Sequence, residues 1–407
     1  MPKILTSQTH PLEIAHVRAS PAQGRIGITF CPGKHDRAAR TGVWARDLAT
    51  DIDALVAWGA RLVLTLNEPA ELTALNVTNL GTEVLARGLD WRHVPIADFS
   101  TPDPAFERRW RTHGRDIRML LRRGDDVVVH CKGGLGRAGM IAARLLVELG
   151  VDPEGAIKTV RAARKGAIET SAQLALVRRT TPVPDIESID VERLRRVGRR
   201  LGSNPGGVYQ DEQGRRFYVK FLESEAMARN EYLAAKLFQI VGAPTLTYVR
   251  ANDPTQVATE FVALEKRNIA EFDADELRRT RHWLGTHAWT ANWDAAGFHG
   301  DNQGVVAGEV ITLDVGGALA FRAQGDPKGK AFGVSVDELD TLRFDENNRF
   351  AKHLFGAMSP AEFRESIARV TRIPDAAIRR VIAENDGDGA LADKMIARKA
   401  DMAKRLE

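Results

Sequence analysis

Cys131 and Arg137 bracket five residues, three of them glycine, in the stretch HCKGGLGRAG at 130–139. A loop this rich in glycine can turn successive backbone N–H groups inward as a nest for an anion, and a following helix N-terminus adds its positive end. Such a field favours the thiolate, the form of Cys131 that attacks phosphorus. Arg137 can clamp two phosphoryl oxygens in parallel, where lysine would be only a point charge. Lys132, Gly133, Gly134, Leu135, Gly136 and Ala138 complete the expected phosphate cradle. The plainer reading, a structural cysteine at an ordinary strand-to-helix turn, leaves His130, the glycines and the arginine without a common purpose. Cys31, the other cysteine, is read as structural.

A second set of residues is spread over the C-terminal half. Glycines at 202–207, Gly206 and Gly207 among them, precede a strand and could close over nucleotide phosphates. Lys220 sits among apolar residues in FYVKF (217–221), and Glu231 follows on a helix at a distance that would let the two pair. Asp294, Asn302 and Asp314 then come in order, Asp314 closing an apolar run before two glycines. Phosphoryl transfer from ATP needs a carboxylate for the acceptor hydroxyl and oxygen ligands for Mg²⁺. Asp294 suits the first task, Asn302 and Asp314 the second. Arg322 and Lys328 are weaker candidates for phosphate contacts, and Trp283, Trp289 and Trp293 read as core rather than as a stacking platform.

The elements that must hold these residues follow from periodicity. Apolar runs at 60–66, 91–96 and 126–130 read as strands, the last a β-branched run suited to burial on both faces. Helices are expected at 45–58, 104–123 and 138–149, which gives an α/β domain with a central, mainly parallel sheet flanked by helices. Two prolines in TTPVPD (180–185) mark a boundary. The expected domains are 1–182, a linker with a basic helix at 183–201, and an α+β bilobal domain at 202–407. In the last, strands at 216–222 and 257–264 and a helix at 226–241 give way to helices at 343–356, 361–370 and 376–384.

HCKGGLGRAG resembles the signature of the cysteine-dependent phosphatases of the tyrosine and dual-specificity class. The stretches ITFCPG (28–33), PIADFSTPD (95–103) and GAIET (166–170) extend the resemblance, toward kinase-associated phosphatases, over most of 20–180. The chemistry needs a general acid for the departing oxygen, and the resemblance implies Asp98, with Asp103 as fallback. The family commonly carries Ser or Thr after the arginine, where Ala138 stands here, which implies slow release of the phosphocysteine. Residues 200–330 resemble the HipA and phosphatidylinositol-kinase-like atypical kinases. Asn302 lies further beyond Asp294 than that resemblance implies, so a loop insertion, or Asp301 in its place, is expected.

The 407 residues are too many for one core and suit two domains. With 43% hydrophobic and 28% charged residues the chain is expected to fold, and a net charge of +4 is too small for a dedicated nucleic-acid binder. Two cysteines rule out a disulfide framework; no leader and no apolar run of membrane-spanning length stand out, so a cytoplasmic location is expected. The expected function is a phosphatase fused to an ATP- and Mg²⁺-dependent kinase, acting on a phosphoprotein or on a small phosphorylated molecule such as an inositol phosphate. A nucleotide-sensing pseudokinase and a toxin-like kinase restrained by its phosphatase are the alternatives.

Overall fold

In the computed structural model the described residues are 4–39, 42–185 and 188–407, and they form two compact units, divided after Asp185. The first is built on a five-stranded sheet in the order Ala15–Val17, Ile26–Phe30, Asp126–Cys131, Ala60–Thr65, Asp90–His93. The outermost pair at the Ala15–Val17 edge is antiparallel and the other pairings are parallel. The central strand explains its own composition. Val127 and Val129 enter one core with Ile117, Leu121 and Leu145, while Val128 enters another with Ile52, Leu55 and Val84. Each buried valine contributes about 1.5–3 kcal/mol of transfer free energy.

Helices close both faces of this sheet. Leu48–Trp58 begins three residues later than the apolar pattern predicts, because Asp47 caps it through the Thr50 N–H and Val43–Ala45 is a strand of a small three-stranded sheet. Asp103 caps Pro104–Arg122 by accepting from the Phe106 N–H at 2.6 Å, with Pro104 in the first turn. Gly136–Glu148 follows the glycine loop directly and is buried along almost its whole length. The loops that carry chemistry therefore leave the C-terminal ends of parallel strands, the usual place for a site in an open α/β sheet.

The second unit opens with a six-stranded sheet in the order Arg195–Gly198, Gly206–Gln210, Arg216–Phe221, Gln256–Glu260, Tyr248–Ala251, Ser188–Ile189. The linker and basic helix expected at 183–201 are corrected here, residues 186 and 187 lying outside the described residues. Ser188–Ile189 is a strand, Val191–Arg193 a single 3-10 turn, and Arg195–Gly198 an edge strand paired antiparallel with Gly206–Gln210. The arginines stay exposed either way; the sheet edge supplies backbone partners that the charge pattern does not reveal.

Glu225–Val241, capped by Ser224 and ended by Gly242, packs on this sheet. A hairpin of Gln303–Val306 and Glu309–Thr312 and a set of helices complete the unit. The helix expected at 343–356 is two, Glu338–Phe344 and Arg349–Phe355, because the Asp-Glu-Asn-Asn stretch at 345–348 turns the chain and Asn348 caps the second. The strand expected to reach 264 ends at Glu260. Trp289 is core, its indole N–H donating to the Met395 carbonyl. Among the described residues no helix is long and apolar enough to cross a membrane.

Candidate active sites

The strand Asp126–Cys131 delivers Cys131 to the sheet's C-terminal edge, where it is 3% exposed. The Gly134 N–H donates to Cys131 Sγ at 3.3 Å. Gly134 has φ +68°, and a Cβ there would meet the Thr29 carbonyl at 2.5 Å, so only glycine permits this approach. The Lys132 carbonyl accepts from the Cys31 N–H and from Lys34 Nζ, both at 3.4 Å. Lys34 is buried beside the rings of Trp44 and Phe30, at 4.7 and 5.0 Å, and burial lowers its pKa.

Arg137 is 2% exposed and fully engaged. Its Nη1 donates to Glu71 Oε2 at 2.6 Å and to the Ile96 carbonyl at 2.9 Å; its Nη2 donates to Glu71 Oε1 at 2.8 Å and lies 2.9 Å from Asp98 Oδ1. Burial works against its charge, but Glu71 and the neighbouring Cys131 hold the guanidinium well above its ordinary pKa. Burial likewise opposes Glu71, and the Arg137 hydrogen bonds win, placing it below the usual carboxylate range. Asp98 is therefore brought to the arginine, while Asp103, the fallback acid, is committed to its helix cap.

His130 lies beneath the loop, its Nε2 2.8 Å from Thr65 Oγ1, which also accepts from the Trp91 indole at 2.9 Å. Burial, with His93 and Arg137 nearby, lowers its pKa to about 3, which keeps the ring neutral. Ala138 is fully buried in the first helical turn. Cys31 packs in the core on the sheet face opposite Cys131, and burial pushes its thiol up. Lys132 lies 3.4 Å from Asp36, and Arg164 donates to the Gly134 carbonyl at 3.3 Å. Glu71 escapes sequence reasoning, because the one signal it carries there is a capping box with Glu68 at a helix start.

In the second unit Lys220 Nζ lies 2.8 Å from Glu231 Oε1 and 2.9 Å from Asp314 Oδ2. Burial alone would depress Lys220; Asp314 and Glu231 overcome it and hold the ammonium well above its ordinary pKa. Burial pushes Glu231 up, and its Oε1 also accepts from Tyr248 at 3.1 Å. Burial opposes Asp314 as well, but Lys220 keeps it below the carboxylate range. Gly206 and Gly207 begin the strand beside Lys220, in register with Lys220 and Val219. Asn230, which the sequence did not single out, ties this helix to the chain beyond Asp314 through the Ala318 carbonyl and the Ala320 N–H.

Asn302 Nδ2 donates to Asp294 Oδ2 at 2.8 Å, so the asparagine, rather than Asp301, joins the aspartate across the longer loop. Burial raises Asp294 to about 6, with the charges of Asp314 and Asp301 adding to it. Lys328 is corrected as a phosphate contact: its buried Nζ donates to the carbonyls of Ala291, Gly317 and Leu319. Arg322 lies over the Trp293 ring at 4.9 Å. Among the described residues no cluster of three or more His, Cys, Asp or Glu side chains could hold a metal by itself.

A family model described as "Polymorphic toxin system, DSP-PTPase phosphatase" matches residues 42–151. Cyclin-dependent kinase inhibitor 3 of Rattus norvegicus is 30% identical over 165 residues, covering 40% of this chain and 73% of that protein. Protein tyrosine phosphatase type IVA 3 of Homo sapiens is 30% identical over 141 residues, 33% of this chain and 72% of that one. A solved Helicobacter pylori proinflammatory kinase, CtkA, covers 54% of this chain and 94% of its own at 11% identity and a TM-score of 0.35, a likeness too slight to bear on function. The loop geometry around Cys131 and the extent of the matched sequence agree, and through its N-terminal domain the chain belongs to the DSP-PTPase family of cysteine-dependent phosphatases.

Proposed function

We propose that the chain is bifunctional: a cysteine phosphatase in its first domain and an ATP- and Mg²⁺-dependent phosphotransferase in its second. In the first, the Cys131 thiolate attacks phosphorus; the S–P bond forms as the P–O bond breaks, and Asp98 gives its proton to the leaving oxygen. Arg137 would hold the phosphoryl oxygens through Nε and through Nη2 once Asp98 turns from it to the leaving oxygen, with Glu71 keeping the guanidinium oriented. Water then attacks the phosphocysteine: its O–P bond forms as the S–P bond breaks, the Asp98 carboxylate takes its proton, and inorganic phosphate leaves with the Cys131 thiolate restored. The natural substrate in this reading is a phosphoprotein, in keeping with the similarity to a protein tyrosine phosphatase.

The kinase half rests on one observation: Lys220 joins Glu231 and Asp314 while Asn302 lies on Asp294. The donor set fits a hard cation. Asp314 offers a carboxylate, Asn302 commits only its nitrogen to Asp294, and Asp294, raised chiefly by its burial, has the charges of Asp314 and Asp301 near it. Mg²⁺, when bound, offsets charge on the ATP phosphates. Lys220 would release Asp314 to hold phosphate oxygens, Glu231 would keep the ammonium in place, and Asp294 would accept the proton of the acceptor hydroxyl.

The test follows label from ATP in the full chain with Mg²⁺, wild type beside Cys131→Ser, resolving phosphoprotein from small molecules. Transfer that is lost on Asp314→Ala supports the reading. ATP binding without transfer in any variant overturns the kinase half and leaves a nucleotide sensor. A second reading, a toxin-like kinase held in check by the phosphatase, is favoured by the family model's description. It requires that expressing full-length Cys131→Ser arrest growth and that adding Asp314→Ala relieve the arrest.

A further inference from the structure

The arginine-rich stretch at 193–200 has no part in either reaction, yet the fold gives it a defined place. Arg195–Gly198 is the last strand of the six-stranded sheet, paired on one side with Gly206–Gln210 and with no strand on the other among the described residues. An edge strand of this kind offers alternate N–H and C=O groups to a further strand. It is held at both ends. Arg196 straps it to its partner, Nη2 donating to the Gly206 carbonyl at 3.0 Å, and Tyr218 Oη accepts from the N–H groups of Leu201 and Gly202 at 3.0 and 3.2 Å. Arg199 and Arg200 lie in the chain between these two anchors.

The charge there is one-sided. Arg195, Arg196, Arg199, Arg200 and Arg216 are all exposed, and none of them has an ion pair among the described residues. Arg195 donates to the neutral Gln210 side chain at 2.9 Å, and Arg216 lies over the Phe261 ring at 4.7 Å. The nearby carboxylates of Asp190 and Asp211 are taken by Arg193 and Arg215. Beside the strand lies a cavity of about 630 Å³, lined by Arg195, Arg196 and Arg216 with Val197, Val208 and Phe261, and by no acidic side chain. Charge on an edge keeps two copies of a chain from pairing, but the same charge admits a strand of opposite sign.

We infer that this edge is a docking site for an acidic, extended segment of a partner protein, which joins the sheet beside Arg195–Gly198 and sets its carboxylates against the arginines. Main-chain hydrogen bonds hold the segment, and the cavity takes one of its side chains. The site depends on neither of the proposed activities. A peptide is favoured over other polyanions because only a peptide backbone can use the open edge. A nucleic acid needs free rings on which to stack its bases, and Phe261 already carries Arg216. ATP is the nearer rival, since Arg216 shares a strand with Lys220. Four residues, about 13 Å of strand, separate those two, and Arg195 lies two strands further out, opposite Gln210.

The experiment follows the fluorescence anisotropy of a labelled peptide of five Glu-Thr repeats on the full-length chain at low salt. Beside it stand a peptide of Lys-Thr repeats, a copy of the acidic peptide with proline in place of two threonines, and an oligodeoxythymidylate of the same length. The acidic peptide is expected to bind, the basic one not to, and the proline copy to bind about tenfold more weakly because it gives up main-chain donors at equal charge. Arg199→Gln with Arg200→Gln, both exposed and outside any strand, is expected to weaken the acidic peptide about tenfold at an unchanged thermal midpoint. No binding of the acidic peptide, equal binding of the proline copy, or an oligonucleotide bound as tightly as the peptide overturns the docking site. Displacement of the peptide by ATP with Mg²⁺ also overturns it, because the arginines then belong to the nucleotide site. Peptide binding that ATP leaves intact, in a chain that transfers no phosphate, supports the docking site while the kinase reading falls.

Discussion

Glu71 grips both terminal nitrogens of Arg137, at 2.6 and 2.8 Å, so the arginine that closes the glycine loop is itself held by a helix that lies far away in sequence. Glu71→Gln would leave a buried guanidinium short of charge and is expected to cost about 3 kcal/mol of stability, read as a lower denaturation midpoint, together with a raised KM. The pH dependence has a definite sign. The folded pKa of Glu71 is depressed, so its contribution is present above the ordinary carboxylate range and is lost as pH falls through the lowered value. Acid unfolding of Glu71→Gln should therefore be shallower than that of the wild type.

Ala138 stands buried in the first turn of the helix that follows the Cys131 loop, where the family resemblance implies a hydroxyl that helps the sulfur leave. Rapid-mix assays of the wild type are expected to show a burst of leaving group followed by slow turnover. Ala138→Ser should raise the slow phase roughly tenfold, the worth of one hydrogen bond to a charged group. Equal burst and steady-state rates in the wild type would show that phosphocysteine breakdown is not the slow step.

Lys220→Met would strand Glu231 and Asp314 together without their cation. The expected cost is about 3–5 kcal/mol, with loss of ATP binding measured by calorimetry. Lys220→Arg keeps the charge, so recovery of stability without recovery of binding would separate the structural role of the ion pair from its contact with nucleotide.

Asp294 titrates about 6 in the folded state against an ordinary 3.8. Phosphoryl transfer is expected to rise with pH through about 6 as the carboxylate becomes able to accept a proton. Stability runs the other way: a raised folded pKa favours the folded state below the ordinary value, and this share is lost as pH rises through about 6. Asp294→Asn should abolish transfer and flatten that part of the stability profile, both readable from one pH series.

The loop around Cys131 was legible because the cysteine, the glycines and Arg137 are consecutive. Strand, glycines and helix are local consequences of local sequence, and Val127 to Val129 announce a strand buried on both faces. Asp98 and the order Lys220, Glu231, Asp294, Asn302, Asp314 were visible as residue types in a plausible sequence. Asp98 is preferred to Asp103 on the resemblance alone; the structure adds that Asp103 caps Pro104–Arg122 while Asp98 lies on Arg137, a difference that rests on where the helix begins.

What the sequence by itself determined is the set of groups carried within a single turn or strand: a cysteine, a glycine loop and an arginine, which are neighbours along the chain and in space. Tertiary structure alone decided the pairings between distant elements. Glu71 on Arg137, Asn302 rather than Asp301 on Asp294, Lys328 spent on three carbonyls, and the 188–198 stretch taken into a sheet instead of a helix each depend on a partner that the local chain does not contain. Buried charges and unpaired backbone groups must find such partners wherever the fold brings them, and periodicity along the chain carries no record of that distance.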